Sequence, residues 1–125
     1  MNGNAAIKVT ESMIRKARLV DGINNLVGQG LLSGVQSVQY ELLCYKDYYP
    51  QEVIKVIYPG DGFCIRNNSG NSEGETLRTI AGLVYGGYYG EVSWYKDILE
   101  RAAQENSDWT VIKMEDILEM KPEKI

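Results

Sequence analysis

The chain has 125 residues and a net charge of −4, with 44% apolar and 24% charged residues, a composition typical of one globular domain. It contains no histidine, which excludes Ser-His-Asp and Cys-His catalysis and imidazole metal sites. The excess of acidic residues argues against a broad nucleic-acid footprint, because such affinity comes mainly from lysine and arginine.

Neither a membrane span nor a secretion signal is expected. No run approaches the ~18 apolar residues that a span requires, and residues 1–8 lack the basic start and apolar stretch of a secretory signal. Cys44 and Cys64 lie in apolar, strand-like segments, where a thiol usually serves as a small core side chain. A single disulfide between them is the less favoured alternative. The sequence therefore predicts a cytoplasmic protein.

The first predicted element is a helix that begins near Thr10. Within it, apolar residues recur at helical spacing, at Ile14, Ala17, Val20, Ile23, Val27 and Leu31. The segment 21–34 contains four glycines, and each costs about 1 kcal/mol in a helix interior. We therefore expect the helix to break after Asp21 unless neighbours pack closely over the glycines. Arg15, Lys16 and Arg18 are predicted to lie on its solvent face.

Three strands with short connections are predicted next, over 35–45, 52–58 and 63–66. In the first, apolar residues at even-numbered positions from Val38 to Cys44 alternate with Gln39 and Glu41, the period of a half-buried strand. Pro50 marks the first turn, and the sequence Pro-Gly-Asp-Gly at 59–62 marks the second. This pattern predicts an antiparallel meander with helices covering one face.

The second half of the chain is predicted to be mainly helical. Ser72 and Glu75 have the spacing of a capping box, which begins a helix running through Val84. Another helix begins near Ser93 and contains an i,i+4 ion pair between Asp97 and Arg101. A strand at 109–114 is expected to join an edge of the meander, and 115–120 to form one helical turn.

This order groups the strands together and predicts an α+β fold, with a small antiparallel sheet of three to four strands packed against two to three helices. We expect a single domain over 1–125. The ends, 1–9 and 121–125, are predicted to be flexible.

A segment rich in tyrosine and glycine is the main candidate binding surface. Tyrosine provides a large, stiff, amphipathic contact and glycine allows close approach, as in protein-recognition loops. The predicted contacts are the aromatic residues Tyr85, Tyr88, Tyr89, Trp94 and Tyr95. The alternative, about equally favoured, is that the glycines end a helix and the rings complete the core.

Arg66 and Arg78 are the predicted anion-binding residues, and Arg78 follows the polar loop 67–71. Backbone N–H groups at such a helix start can cradle a phosphate. However, Glu73 and Glu75 in the first turn would repel it, and no glycine-rich nucleotide motif is present. An ordinary helix cap is therefore the favoured interpretation of this loop.

We expect a non-enzymatic binding protein that needs no cofactor or metal and contacts a protein partner through the Tyr/Gly segment. By analogy of size and composition, inhibitors, immunity factors and phage or mobile-element accessory proteins are of this kind. One alternative is a domain that binds a nucleotide or another small anion, with Arg18 as a further phosphate contact. Another is a hydrolase whose carboxylate pair comes from Glu41, Asp47, Asp61, Asp97 and Glu100. Self-association is favoured; membranes and nucleic acid are not expected as partners.

Overall fold

The computed structural model describes residues 9–46, 48–60, 62–86 and 93–121, with the backbone alone at 93 and 94. Within these ranges the strands are β1 (Ser37–Tyr45), β2 (Gln51–Ile57), β3 (Phe63–Asn67) and β4 (Trp109–Ile112). The helices are α1 (Glu11–Gly28), α2 (Glu73–Tyr85), α3 (Ser93–Ala102) and α4 (Met114–Leu118). The strands form one antiparallel sheet in the order β3-β2-β1-β4. The predicted α+β fold is confirmed, and the fourth strand joins an edge of the meander as expected.

Helices cover both faces of the sheet, whereas the sequence predicted cover on one face. Tyr40 and Ile54 lie on the face that packs against α1, α2 and α4. Leu43 lies on the opposite face, where Tyr95 and Ile98 of α3 pack against it. Since successive strand residues point to opposite faces, both the even- and odd-numbered positions in the middle of β1 are buried. The prediction of a half-buried strand is therefore wrong for β1.

The first helix begins where the sequence predicted but ends later. Thr10 caps it, since its Oγ1 accepts a hydrogen bond of 3.2 Å from the N–H of Met13. The helix then continues without interruption to Gly28. The predicted break after Asp21 is wrong.

Packing stabilises the second half of α1 despite its low helix propensity. Ile23 and Val27 are partly buried against the main core. Asn24 also links the helix to the sheet, because its Oδ1 accepts a hydrogen bond of 3.0 Å from the N–H of Val38. Tertiary contacts thus override the unfavourable glycines, as they commonly do in proteins.

Gly22 in α1 is exposed, and a Cβ placed there would meet no atom within 4 Å. We expect Gly22→Ala to stabilise the protein by about 0.5–1 kcal/mol, because alanine has the higher helix propensity and restricts the unfolded chain. Urea unfolding measures the change. Gly70→Ala is the control, since φ at Gly70 is +78° and alanine is strained there. Equal effects of the two substitutions would contradict the assignment of Gly22 to a regular helix.

The predicted flexible ends fall mostly outside the described residues, which exclude 1–8 and 122–125. Val9, however, is buried in the main core, so the last residue of the predicted flexible segment 1–9 is held in place. Cys44 and Cys64 are buried thiols, in line with the favoured interpretation. Burial raises the pKa of Cys44 to about 11, which keeps this thiol protonated and unreactive near neutral pH.

Candidate functional site

A groove of about 510 Å³ lies between the end of β3 and one side of α2. Two residues from β3 and four from α2 line it: Arg66, Asn67, Arg78, Thr79, Gly82 and Leu83. The sequence named both Arg66 and Arg78 as anion-binding residues. The structure brings both arginines to the same groove.

Strand register and helix spacing place these side chains. Arg66 is paired with Ile54 in the sheet, so its side chain leaves the sheet on the face that α2 covers. Arg78 and Gly82 are exposed and lie one turn apart on the same side of α2. A Cβ on Gly82 would meet no atom within 4 Å, so this wall of the groove is open.

The start of α2 is closed by the capping box that the sequence predicted. Ser72 Oγ accepts a hydrogen bond of 3.1 Å from the N–H of Glu75, and Glu75 Oε1 accepts one of 3.0 Å from the N–H of Ser72. These bonds lower the pKa of Glu75, and the charge of Arg78 adds a smaller attraction. The chain's own carboxylate thus occupies the helix start, which supports the capping interpretation.

A buried ion pair lies behind the loop that joins β3 to α2. The Nζ of Lys16 is 2.5 Å from Glu52 Oε1 and donates a hydrogen bond of 2.7 Å to the carbonyl oxygen of Asn71. The hydroxyl of Tyr40 donates a hydrogen bond of 2.5 Å to the same Glu52 oxygen. Lys16 is only 2% exposed and Glu52 only 4%. The prediction that Lys16 lies on a solvent face is therefore wrong.

Glu52 also organises the loop itself, through its carboxylate and its backbone. The N–H of Gly70 donates a hydrogen bond of 3.1 Å to Glu52 Oε2, and the N–H of Asn68 donates one of 2.8 Å to the Glu52 carbonyl. In return, the N–H of Glu52 donates a hydrogen bond of 2.9 Å to Ser69 Oγ. The Glu52 carboxylate therefore already accepts one of the loop N–H groups that a phosphate would use, and Glu52 holds in place the loop that joins Arg66 to Arg78.

Burial and the adjoining Glu52 raise the pKa of Tyr40 far above its ordinary value. The phenol therefore stays protonated and acts as a donor. Because a hydroxyl, an ammonium and a backbone N–H all donate to one carboxylate, the buried negative charge is well compensated. This network, which we call the Glu52 network (Lys16, Tyr40, Glu52, Gly70 and Asn71), has the properties of a structural support rather than of a reactive site.

The Tyr/Gly segment is only partly covered by the described residues. Tyr88 and Tyr89 lie outside them, as does the side chain of Trp94. Tyr85, at the end of α2, is 78% exposed. It follows Arg78 by seven residues, so both lie on the same side of the helix. Tyr85 thus extends the exposed surface beside the groove.

Tyr95 is fully buried beneath the sheet, so the prediction that it contacts a partner is wrong. Its hydroxyl donates a hydrogen bond to Glu41 Oε1, and Lys113 Nζ is 3.3 Å from the other Glu41 oxygen. Burial, assisted by Glu41, raises the pKa of Tyr95 well above its ordinary value. For this ring, the core interpretation is the correct one.

No protein-family model matches the chain, and comparisons with curated proteins and with solved structures find no match. Across the ranges that the structure covers, no group of three or more cysteine and acidic residues is placed to hold a metal ion. None of the described helices combines the length and apolar character needed to cross a membrane.

A second aromatic surface lies at the opposite edge of the sheet from β3, where β1 pairs with the edge strand β4. The rings of Tyr45 and Tyr48 stack with centroids 5.9 Å apart, and Tyr45 and Trp109 are 4.8 Å apart. Lys46 Nζ lies 5.2 Å from the centre of the Tyr45 ring. These rings pack on one another, although Tyr48 remains 68% exposed.

Three of the five carboxylates considered for hydrolysis lie within the described residues: Glu41, Asp97 and Glu100. Glu41 is buried with Tyr95, whereas Asp97 is exposed and pairs with Arg101 at 3.4 Å, the predicted i,i+4 contact. Glu100 is exposed on α3. Asp47 and Asp61 lie outside the described residues.

Proposed function

We propose that this chain is a non-enzymatic binding protein whose partner protein places an acidic side chain in the groove between Arg66 and Arg78. The observation that carries the proposal is that two arginines, one from a strand and one from a helix, line the same groove. Guanidinium groups recognise carboxylates and phosphates through paired, charge-assisted hydrogen bonds. In a chain with a net charge of −4, such a groove is a local site for an anion.

The surface beside the groove suits a protein partner. Tyr85 is exposed and lies on the same side of α2 as Arg78. Tyrosine and arginine are among the residue types enriched in the positions that dominate binding energy at protein interfaces.

The second candidate is a nucleotide or another small anionic ligand. The groove volume of about 510 Å³ lies within the usual range for small-molecule sites, roughly 300–1,000 Å³. Tyr85 offers a ring on which a base can stack. Relative affinities for peptide and nucleotide probes separate this candidate from the first.

The first test is titration of the protein with hexaglutamate, ATP and pyrophosphate by isothermal calorimetry. We expect hexaglutamate to bind in preference to the other two, and Arg78→Gln to weaken that binding by about tenfold or more, because a hydrogen bond to a charged group contributes about 1.5–3 kcal/mol. Arg18→Gln is the matched control, because Arg18, which the sequence suggested as a further phosphate contact, is not among the residues that line the groove. It removes the same charge from an exposed position on α1. We expect the affinity for hexaglutamate to change by no more than about twofold, because only a distant charge, screened by salt, is lost.

Each result has a distinct meaning. Tighter binding of ATP than of hexaglutamate, with the same dependence on Arg78, would favour the small-ligand candidate. Equal losses in the Arg78 and Arg18 variants would show a nonspecific charge effect and would contradict a site in the groove.

A further inference from the structure

The strand that forms one wall of the groove, β3, is also an edge of the sheet. In the described part of the chain, β3 pairs with β2 on one side and with no strand on the other. Its sequence contains no proline or lysine, two of the residues that commonly protect an edge from further pairing.

The hydrogen-bond pattern shows which backbone groups of β3 point outward. Just beyond the two ends of the strand, the N–H of Tyr58 donates to the carbonyl of Gly62 at 2.7 Å, and the N–H of Asn68 donates to Glu52 at 2.8 Å. Bonded pairs alternate along an antiparallel ladder, so the even-numbered residues of β3 bond to β2. The N–H and C=O groups of Phe63, Ile65 and Asn67 are therefore directed toward the outer edge.

Side chains on the two faces of β3 differ in character. Arg66 leaves the strand on the groove side, facing Arg78 across the groove. Ile65 leaves it on the opposite side, where it packs with the apolar residues beneath α3. An additional strand beside β3 would follow the same alternation. Its residue opposite Arg66 would project into the groove, and the neighbouring residue would lie next to Ile65.

We infer that the partner binds by β-strand addition: an extended segment that alternates acidic with β-branched apolar residues pairs with the outer edge of β3. The inference rests on the proposed function and specifies the chemistry and conformation of the bound segment. Charge complementarity selects the occupant, since an acidic side chain entering the groove meets Arg66 and Arg78. Backbone hydrogen bonds to Phe63, Ile65 and Asn67 supply the sequence-independent part of the affinity. A segment of about five residues, on the order of 17 Å, matches the length of β3.

The probe is a fluorescein-labelled peptide that alternates valine and glutamate, and its binding is followed by fluorescence anisotropy. Two variants carry N-methyl groups on all valine amides or on all glutamate amides. Only one of these sets faces β3 in a paired strand: the valine set in antiparallel addition and the glutamate set in parallel addition. We expect antiparallel addition, so methylated valine amides should weaken binding by about tenfold or more, whereas methylated glutamate amides leave it within about twofold.

Amide hydrogen exchange gives a second readout on the protein itself. In the complex, the N–H groups of Phe63, Ile65 and Asn67 should exchange more slowly than in the free protein, because they acquire partners. Gly82→Phe fills the groove from a position where a Cβ meets no atom. It should abolish peptide binding while preserving the unfolding transition.

The outcomes separate strand addition from the groove itself. Equal sensitivity to the two methylation patterns, or none, would overturn strand addition; if binding still required Arg78, the anion-binding groove would stand. Slow exchange of the three amides in the free protein, or slowing with protein concentration alone, would also overturn the inference, because the edge would already be occupied by this chain. Peptide binding that is unaffected by both Arg78→Gln and methylation would overturn both proposals.

Discussion

Replacing Glu52 by glutamine is expected to destabilise the protein by about 3–5 kcal/mol, because it leaves the Lys16 ammonium buried without its counter-charge. The shape of the side chain is preserved, and the glutamine oxygen can still accept from Tyr40. Its amide nitrogen cannot accept from the N–H of Gly70, so the loss combines the charge with that one hydrogen bond. Against a typical total stability of roughly 5–15 kcal/mol, this is a large effect. Urea unfolding at pH 7, followed by circular dichroism, measures it.

Glu73→Gln is the matched control for this substitution. Glu73 pairs with Arg15 at 3.3 Å, but both side chains are about half exposed, so its loss should change stability by no more than about 0.5 kcal/mol. A double variant, Lys16→Met with Glu52→Gln, should be less destabilised than the sum of the two single variants, since removing both charges removes the uncompensated one. Equal effects of Glu52→Gln and Glu73→Gln would contradict the buried pair.

The effect of Glu52→Gln should be largest in the loop 67–72. Glu52 bonds to this loop through its carboxylate at Gly70 and through its backbone at Asn68 and Ser69. We therefore expect faster amide exchange at Gly70 in the variant than at positions on β1. Because this loop joins Arg66 to Arg78, affinity for hexaglutamate should also fall, which connects the buried charge to the groove.

The elements themselves were largely predictable from local sequence. Ser72 and Glu75 marked the start of α2 correctly because a capping box is a short-range pattern whose two hydrogen bonds lie within three residues. The meander followed from alternating residues and from the turn at Gly60, where φ is +89°. The length of α1 was not predictable in this way, since it depends on distant contacts such as the hydrogen bond between Asn24 and Val38.

The Glu52 network left a signal in the sequence that its charge obscured. Lys16 lies three residues after Met13 and four before Val20, both buried, so helical spacing places it on the buried side. Glu52 is likewise in phase with Ile54 and Val56 on β2. A lysine on the buried side of α1 and a glutamate on the buried face of β2 can be recognised as an ion pair once it is known that the two faces pack together. The pairing itself is a long-range property of the fold.

The groove was predictable only in its parts. Both arginines were chosen for their charge, but nothing local indicated that β3 and α2 would bring Arg66 and Arg78 together. The same limit explains the error at Tyr95. Because the odd-numbered face of β1 carries Glu41 between Gln39 and Leu43, it resembles a solvent face, and its cover by α3 becomes apparent only from the packed structure.

Replacing Tyr95 by alanine is expected to destabilise the protein by about 3–5 kcal/mol, through the cavity left beneath the sheet and the loss of a donor to the buried Glu41 carboxylate. The higher helix propensity of alanine offsets only about 0.5 kcal/mol of this. Tyr85→Ala is the matched control, because Tyr85 is also a helical tyrosine but is 78% exposed, against 0% for Tyr95. It should change stability by about 0.5 kcal/mol at most.

Tyr95→Phe separates the two contributions at this position. The ring still fills the space against Leu43 and Ile98, so the remaining loss of about 1–3 kcal/mol reports the hydroxyl that Glu41 no longer receives. Lys113 lies 3.3 Å from Glu41 but is 52% exposed at its side chain, so water screens it and it compensates only in part. Full stability in Tyr95→Ala, together with weaker hexaglutamate binding, would return this ring to the partner surface. If Tyr95→Ala instead loses stability as expected, while its folded fraction binds hexaglutamate with unchanged affinity, then Arg66 and Arg78 act independently of Tyr95.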